Sequence, residues 1–555
     1  MVKVSKSYLI KQLYLVMFFF ITLLILTILL AYYSMSGTLP FETRHYYISS
    51  NQKTLKVIDY ETSETVEIIR GTKVEFVEEL EDKTKILYNE RKYLIDYSDL
   101  KENIEDVVTE SFMYVRTPVT VRKEDGLSLV KKANKVNIID YDSLLADGSI
   151  NMYKIEHDEK VGWVYAKYLT DDLDYAKSTY ATGEYEIHNR RGNNLGGGSA
   201  ANLDFFPVDK SPIIDNDMPD EVRSLYLNGA VLHRIDEYIE SFKDTSINAF
   251  VVDIKDDKMP AYKSEVMKNY SKTNYNRALN SYERYETAIN KLNEAGFYTI
   301  GRITVFKDEY FVMDHPDHAI IDKRTDKPLV HNNSNWPTPY SREVWEFNVE
   351  LAKEAVLNFG FNEIQFDYIR FPDRINRLEN EGHIDLKNRY DEDKAEAVQN
   401  FLIYAKDELR EVDAYISADV FGESSHAYVT AYGQYLPAIS NVVDVISPMP
   451  YPDHFSMYEY GLSQPVWTIP YDLLKIWGNF TNQRQKETPT PAKVRTWIQA
   501  YDAIRNPRVK YDNKMIEDQI QALFDSNLNG GFMTWNAASS LSRYNSYIEA
   551  FEKEY

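Results

Sequence analysis

Three observations predict an α/β fold, a (β/α)8 barrel of the TIM type behind an N-terminal transmembrane helix and small all-β modules. A long uncharged apolar run stands near the N-terminus, short alternating segments follow it, and apolar strands then recur eight times, most of them separated by amphipathic helices. With 555 residues the chain is several times the ~150 of an ordinary domain, so it holds more than one domain and can bury a large core. Hydrophobic residues make up 44% and charged residues 27%, which excludes wholesale disorder and a multi-spanning transporter. A formal charge of -23 repels phosphate, so nucleic acid is not expected as a partner. Cys is absent, which excludes disulfides, thiolate nucleophiles and cysteinyl metal sites.

From Gln12 to Phe41 no residue is charged. The segment 12–33 matches the ~20 apolar residues that cross ~30 Å of hydrocarbon. Lys3, Lys6 and Lys11 precede it without an acid, so residues 1–11 are expected in the cytoplasm and everything after Tyr33 outside the cell membrane. The run exceeds a signal-peptide core, and AYYSMSG offers no clear small-x-small cleavage site, which favours an uncleaved single-pass anchor.

Residues 45–172 show alternating runs such as KVEFVEEL, KTKILY and RKYLIDY and no long helical period, the pattern of all-β modules. GTKVEFVEELEDKTKILYNERKYLIDYSDL is echoed by NKVNIIDYDSLLADGSINMYKIEHDEKVGWVYAKYL, which predicts two tandem copies. The second copy, through GWVYAKYL, resembles the Src-homology-3-like small barrel of bacterial cell-envelope proteins. That resemblance implies a contact with the cell wall, with Trp163 either at the contact or, as favoured here, a core ring. Residues 173–211 contain RRGNNLGGGSAAN and read as a flexible linker. Its glycines lack the strand-turn-helix setting of a phosphate loop.

The domain 212–555 holds eight apolar segments: 222–229, 248–257, 297–306, 363–372, 414–422, 442–452, 494–502 and 530–539. Nearly continuous apolar runs suit parallel strands covered on both faces. Between the third and fourth, SREVWEFNVELAKEAVLNFG places Val344, Phe347, Leu351, Ala355 and Leu357 near a 3.6 period, with Gly360 as the stop. Such a barrel carries its chemistry at the C-terminal ends of its strands.

Searching those ends for side chains an apolar core would reject gives Gln365, Asp367 and Arg370 on the fourth strand, and Ser417, Asp419 and then Glu423 on the fifth. A lone aspartate in an apolar strand costs several kcal/mol, so Asp367 and Asp419 need either a partner or a task. Neighbouring strands lie ~4.8 Å apart, so these two carboxylates can stand close together. Asp253, Lys255, Arg302, Asp502, Trp535 and Asn536 stand at other strand ends. Trp336, Tyr451 and Trp535 are candidate sugar-stacking rings, and Asp453 and His454 candidate hydroxyl ligands. His315 and His318 lack a third ligand, so no metal and no cofactor are expected.

FNEIQFDYIRFPD, NWPTPYSREVW, ISADVFG, VISPMPYPDHF and GGFMTWNAAS together resemble the glycoside-hydrolase-like barrel domain of bacterial surface proteins, a relative of the alpha-amylase-type glycosidases. The resemblance runs from about Met218 to Ser540. It implies Asp367 as nucleophile and Asp419 as acid/base, with Glu423 as the substitute acid/base. Gln365 stands where that pattern has Arg, and Asp419 where it has the longer Glu. Two functions therefore stay open: a membrane-anchored, retaining glycoside hydrolase acting on envelope or extracellular polysaccharide, and a non-catalytic glycan-binding or wall-scaffolding protein on a degenerate barrel.

Overall fold

The computed structural model describes residues 6–36, 43–123, 126–178, 195–528 and 530–555. The apolar run lies in a 31-residue helix, Lys6–Ser36. Its side chains are described without a break from Tyr14 to Ile28, and all are exposed. Among the described residues no helix is long and apolar enough to cross a membrane.

The tandem copies have one topology. Seven strands between His45 and Lys101 form a sheet in the order third, second, sixth, fifth, fourth, first, seventh. Seven strands between Phe112 and Thr170 repeat that order. In both, the fourth strand carries a bulge at the equivalent place, between Phe76 and Glu78 and between Ile138 and Asp140. In both, a 3-10 turn, Tyr97–Asp99 or Ala166–Tyr168, leads into a two-residue last strand. Such a bulge bends and twists its strand, which lets a short sheet curl around its own core. In the first copy that core is Ile48, Val57, Ile68, Val74 and Ile86. Trp163 is half-buried rather than a core ring.

All eight predicted strands are present and parallel: β1 Val222–Leu227, β2 Ala249–Asp256, β3 Tyr298–Thr304, β4 Glu363–Asp367, β5 Tyr415–Phe421, β6 Val445–Met449, β7 Thr496–Gln499 and β8 Gly531–Trp535. They are shorter than expected, because the polar residues at their ends belong to loops. Closure passes through β7: its forerunner Lys493–Val494 pairs with β6, while β7 pairs with β8, which pairs in turn with β1. Between β3 and β4 the expected helix is α1, Arg342–Phe359. The Ser341 side chain accepts from the Val344 N–H at its start, and Gly360 ends it at φ 70°, a conformation that disfavours any residue with a Cβ. Val344, Phe347, Leu351 and Ala355 are buried, each large side chain contributing about 1.5–3 kcal/mol. Leu357 is 68% exposed, off the face assigned to it by the periodicity.

The stretch expected as linker is largely structured. Leu173–Lys177 is a helical turn capped by the Asp172 carboxylate, residues 179–194 lie outside the described residues, and 195–211 are fixed on the barrel. There the Gly197 carbonyl accepts from the Ala395 N–H and the Ser199 N–H donates to Asp393. Ala200, Leu203 and Phe205 pack on Ala395, Val429, Tyr435 and Ala438. A Cβ at Gly197 would stand 1.8 Å from the Thr430 carbonyl oxygen. The glycines thus permit close backbone approach, and the barrel domain begins near 195 rather than 212.

Candidate active site

β3 delivers Arg302 into the mouth of the barrel, where it is 2% exposed. Its guanidinium donates to Asp253 Oδ1 at 2.7 Å and, through two nitrogens, to Asp367 Oδ2 at 2.6 and 3.1 Å. Asp256 Oδ1 lies 3.5 Å away. Desolvation works against a buried guanidinium, but these three aspartates hold Arg302 well above its ordinary value. Burial raises Asp253 to about 7 despite Arg302, while its Oδ2 accepts from the Tyr226 hydroxyl. Burial also opposes ionisation of Asp256, yet Arg302 and the Thr304 hydroxyl lower it below the usual carboxylate range. Asp367 ends β4, and its Oδ1 accepts the N–H of Tyr368 at 2.6 Å. Tyr368 itself sits at φ 51°, a left-handed backbone that a tyrosine adopts only under constraint.

Asp419, on adjacent β5, is set up differently. The register that pairs Gln365 with Ser417 and Phe366 with Ala418 brings Asp367 and Asp419 to neighbouring strand ends. Asp419 Oδ1 accepts from the Trp497 indole N–H at 2.8 Å, whereas its buried Oδ2 has no hydrogen-bond partner. Burial, reinforced by the negative charge of Asp367, pushes Asp419 well above the ordinary carboxylate range. One carboxylate is thus tied to a guanidinium, and its neighbour keeps a proton, the division of labour that acid-assisted displacement needs.

Asp367 and Asp419 line one cavity of about 130 Å³ together with Arg302, Arg370, Tyr451, His454 and Trp535, all expected from the sequence. Tyr368, Phe421, Met449 and Trp497 complete its wall, and the sequence reading missed them. Arg370 presents its guanidinium 4.3 Å from the centre of the Phe421 ring. Gln365 lies below the cavity, its Nε2 on the Ser447 hydroxyl at 3.2 Å and its Oε1 unpartnered. The positive charge that Gln365 cannot bring to Asp367 comes instead from Arg302 on β3.

Six expected residues stand elsewhere. Glu423 is outside the cavity lining, its two oxygens accepting from Tyr428 and Tyr432 at 3.0 Å each. Lys255 turns away to bind Asp308 at 2.7 Å, because the register shifts between Asp253 and Lys255 and breaks the parity on which its placement rested. Trp336 is fully buried in a side cluster with Ile320, Leu329 and Ile375. Asp453 accepts from Tyr501 and ties down a loop, Asp502 is engaged by Arg543, and Asn536 donates to the Ala500 carbonyl. His315 and His318 bond to Tyr270 and Ser341. Among the described residues no group of three His, Asp or Glu side chains has the arrangement of a metal site.

A closed eight-stranded parallel barrel with carboxylates gathered at its strand ends has the layout of a barrel enzyme. Residues 224–541, more than half the chain, match the family described as "putative glycosyl hydrolase domain", and the chain belongs to that family. It is similar to a hypothetical protein from Ruminiclostridium thermocellum, at 31% identity over 35% of this chain and 97% of that one, TM-score 0.30. It is also similar to the glycoside hydrolase domain of PgaB (BpsB) from Bordetella bronchiseptica, at 12% identity over 59% and 99% of the two chains, TM-score 0.43. A third similar structure is the exo beta-N-acetylglucosaminidase of Vibrio harveyi, at 13% identity over 61% and 55%, TM-score 0.39. No curated protein matches the chain.

Proposed function

We propose that the protein is a membrane-anchored, extracytoplasmic glycoside hydrolase that cleaves polysaccharide with retention of configuration. The observation that carries this reading is the unlike pair at the ends of β4 and β5, Asp367 held by Arg302 and Asp419 kept protonated by burial. An Asp367 carboxylate oxygen forms a bond to the anomeric carbon as the glycosidic C–O bond breaks, and the Asp419 proton passes to the leaving oxygen. Asp419, now anionic, takes a proton from water, whose oxygen displaces Asp367 and frees the sugar. The uncharged run from Gln12 to Phe41, after three lysines, supports the anchor. The Src-homology-3-like resemblance supports a wall contact for the tandem modules.

Release of reducing sugar from a panel of bacterial polysaccharides, abolished in Asp367→Asn, tests the activity. Product configuration read by NMR tests retention. Digestion of the barrel by protease added to intact cells tests the anchor, and protection there refutes it. Glycan binding without turnover is the second reading, because both oxygens of Asp367 already accept hydrogen bonds. Saturable glycan binding with no reducing sugar released establishes it instead.

A further inference from the structure

The cavity of about 130 Å³ is smaller than the ~150 Å³ void that holds one benzene ring, so it cannot enclose a polysaccharide. The rest of a polysaccharide must lie outside it. On the hydrolase reading Asp419 delivers its proton to the leaving oxygen, which places the departing part of the chain on the side of β5 and its neighbour β6. The loops after those two strands are aromatic. From Tyr451 in the cavity wall the rings pass to His454, 5.2 Å away edge to face. The next residue, Phe455, lies 6.2 Å from Tyr460, and Tyr460 lies 5.4 Å from Phe480 and 6.0 Å from His426. Phe480 is 38% exposed, and Glu423, also exposed, stands beside this row on its two tyrosine hydroxyls. Phe455, Tyr460 and His426 are half-buried, the first two against the barrel core, while His454 and Phe480 are exposed, and a carboxylate at the edge of the row suits a ligand that carries hydroxyls.

We infer that this track of His454, Phe455, Tyr460, Phe480 and His426 stacks against the sugars of the leaving part of a linear glycan, with Glu423 accepting from their hydroxyls. The inference rests on the hydrolase reading and deepens it: the substrate is a chain extending several sugars past the scissile bond, not a single-sugar glycoside. Flat ring faces suit pyranose C–H faces, and each stacked ring is worth about three- to tenfold in affinity.

The test compares kcat/KM for a nitrophenyl monoglycoside with kcat/KM for the linear tri- to hexasaccharides of the same sugar. It uses the full-length wild type, Phe480→Ala and Tyr460→Ala/Phe480→Ala. The preference of the wild type for longer substrates should fall about three- to tenfold in the single variant and about ten- to a hundredfold in the double, chiefly through KM. Phe480→Ala, at an exposed helix position, guards against misfolding of the double variant. A wild type that favours long chains, with variants that keep the full preference, overturns the track and leaves the hydrolase reading standing. A wild type that turns over monoglycosides as well as hexasaccharides also overturns it. If the wild type hydrolyses nothing, the hydrolase reading fails, and hexasaccharide binding to it no tighter than disaccharide binding refutes the track as well.

Discussion

Replacing Trp497 by Phe removes one hydrogen-bond donor and keeps most of the ring. In the wild type the indole N–H meets Asp419 Oδ1 at 2.8 Å, and this bond favours the anion, opposing the burial that holds the carboxyl protonated. A hydrogen bond to a charged group contributes about 1.5–3 kcal/mol, so its loss should raise the ionisation of Asp419 by about one to two pH units. The acid must be protonated to assist departure, so the alkaline limb of kcat/KM should move upward by that amount. Turnover should fall about tenfold, because Oδ1 is no longer fixed and Oδ2 loses its aim. The assay is a pH-rate profile on an activated aryl glycoside and on an oligosaccharide, with the melting temperature measured alongside. The aryl glycoside should lose less, since a good leaving group needs little protonation. An alkaline limb at the wild-type position, with rate loss matching only the loss of folded protein, would refute the assignment of Asp419 as the acid and of Trp497 as its positioning residue.

Arg302→Met should cost about 3–5 kcal/mol, since it strands buried carboxylates, and the melting-temperature deficit should shrink toward acid pH as those groups protonate. Asp253 and Asp419 bind protons in the fold above the ordinary carboxylate range, so folding stability should decline as pH rises from about 4 toward 7. Asp253→Asn should flatten that slope in urea titrations at several pH values. Gly197→Ala should lower the melting temperature by an amount equivalent to about 1–3 kcal/mol, because its Cβ meets the Thr430 carbonyl, and an unchanged value would restore the linker description.

Much of the barrel was legible because parallel strands buried on both faces must be apolar, and eight such runs stand out against helices with one polar face. Asp367, Asp419 and Arg302 were legible for the complementary reason, as polar groups where the core should be dry. The errors have local causes. Lys255 was misplaced because a one-residue register shift in β2 inverts parity, and such a shift leaves no mark in composition. The same shift hid Asp256, which Arg302 reaches. Trp336 and Trp497 are equally plausible rings in the sequence, and only tertiary packing puts the first in a side cluster and the second on Asp419. The run NNLGGGSAAN reads as flexible because glycine serves two ends, chain freedom and close approach, and from Leu195 onward the second applies.

The gathering of three aspartates on one arginine has an electrical consequence for the reaction itself. Even with Asp253 holding a proton, Asp256 and Asp367 together outweigh Arg302 by one unit of charge, in a place where water screens little. On the hydrolase reading, a sugar passing toward an oxocarbenium-like transition state acquires positive charge beside Asp367. Asp367 and Asp256 thus set a local negative charge beside Arg302 that a neutral ground state scarcely feels and a developing cation feels strongly, while Arg370 in the cavity wall carries a balancing positive charge. Arg302 caps the size of that potential by setting one positive charge among the three carboxylates.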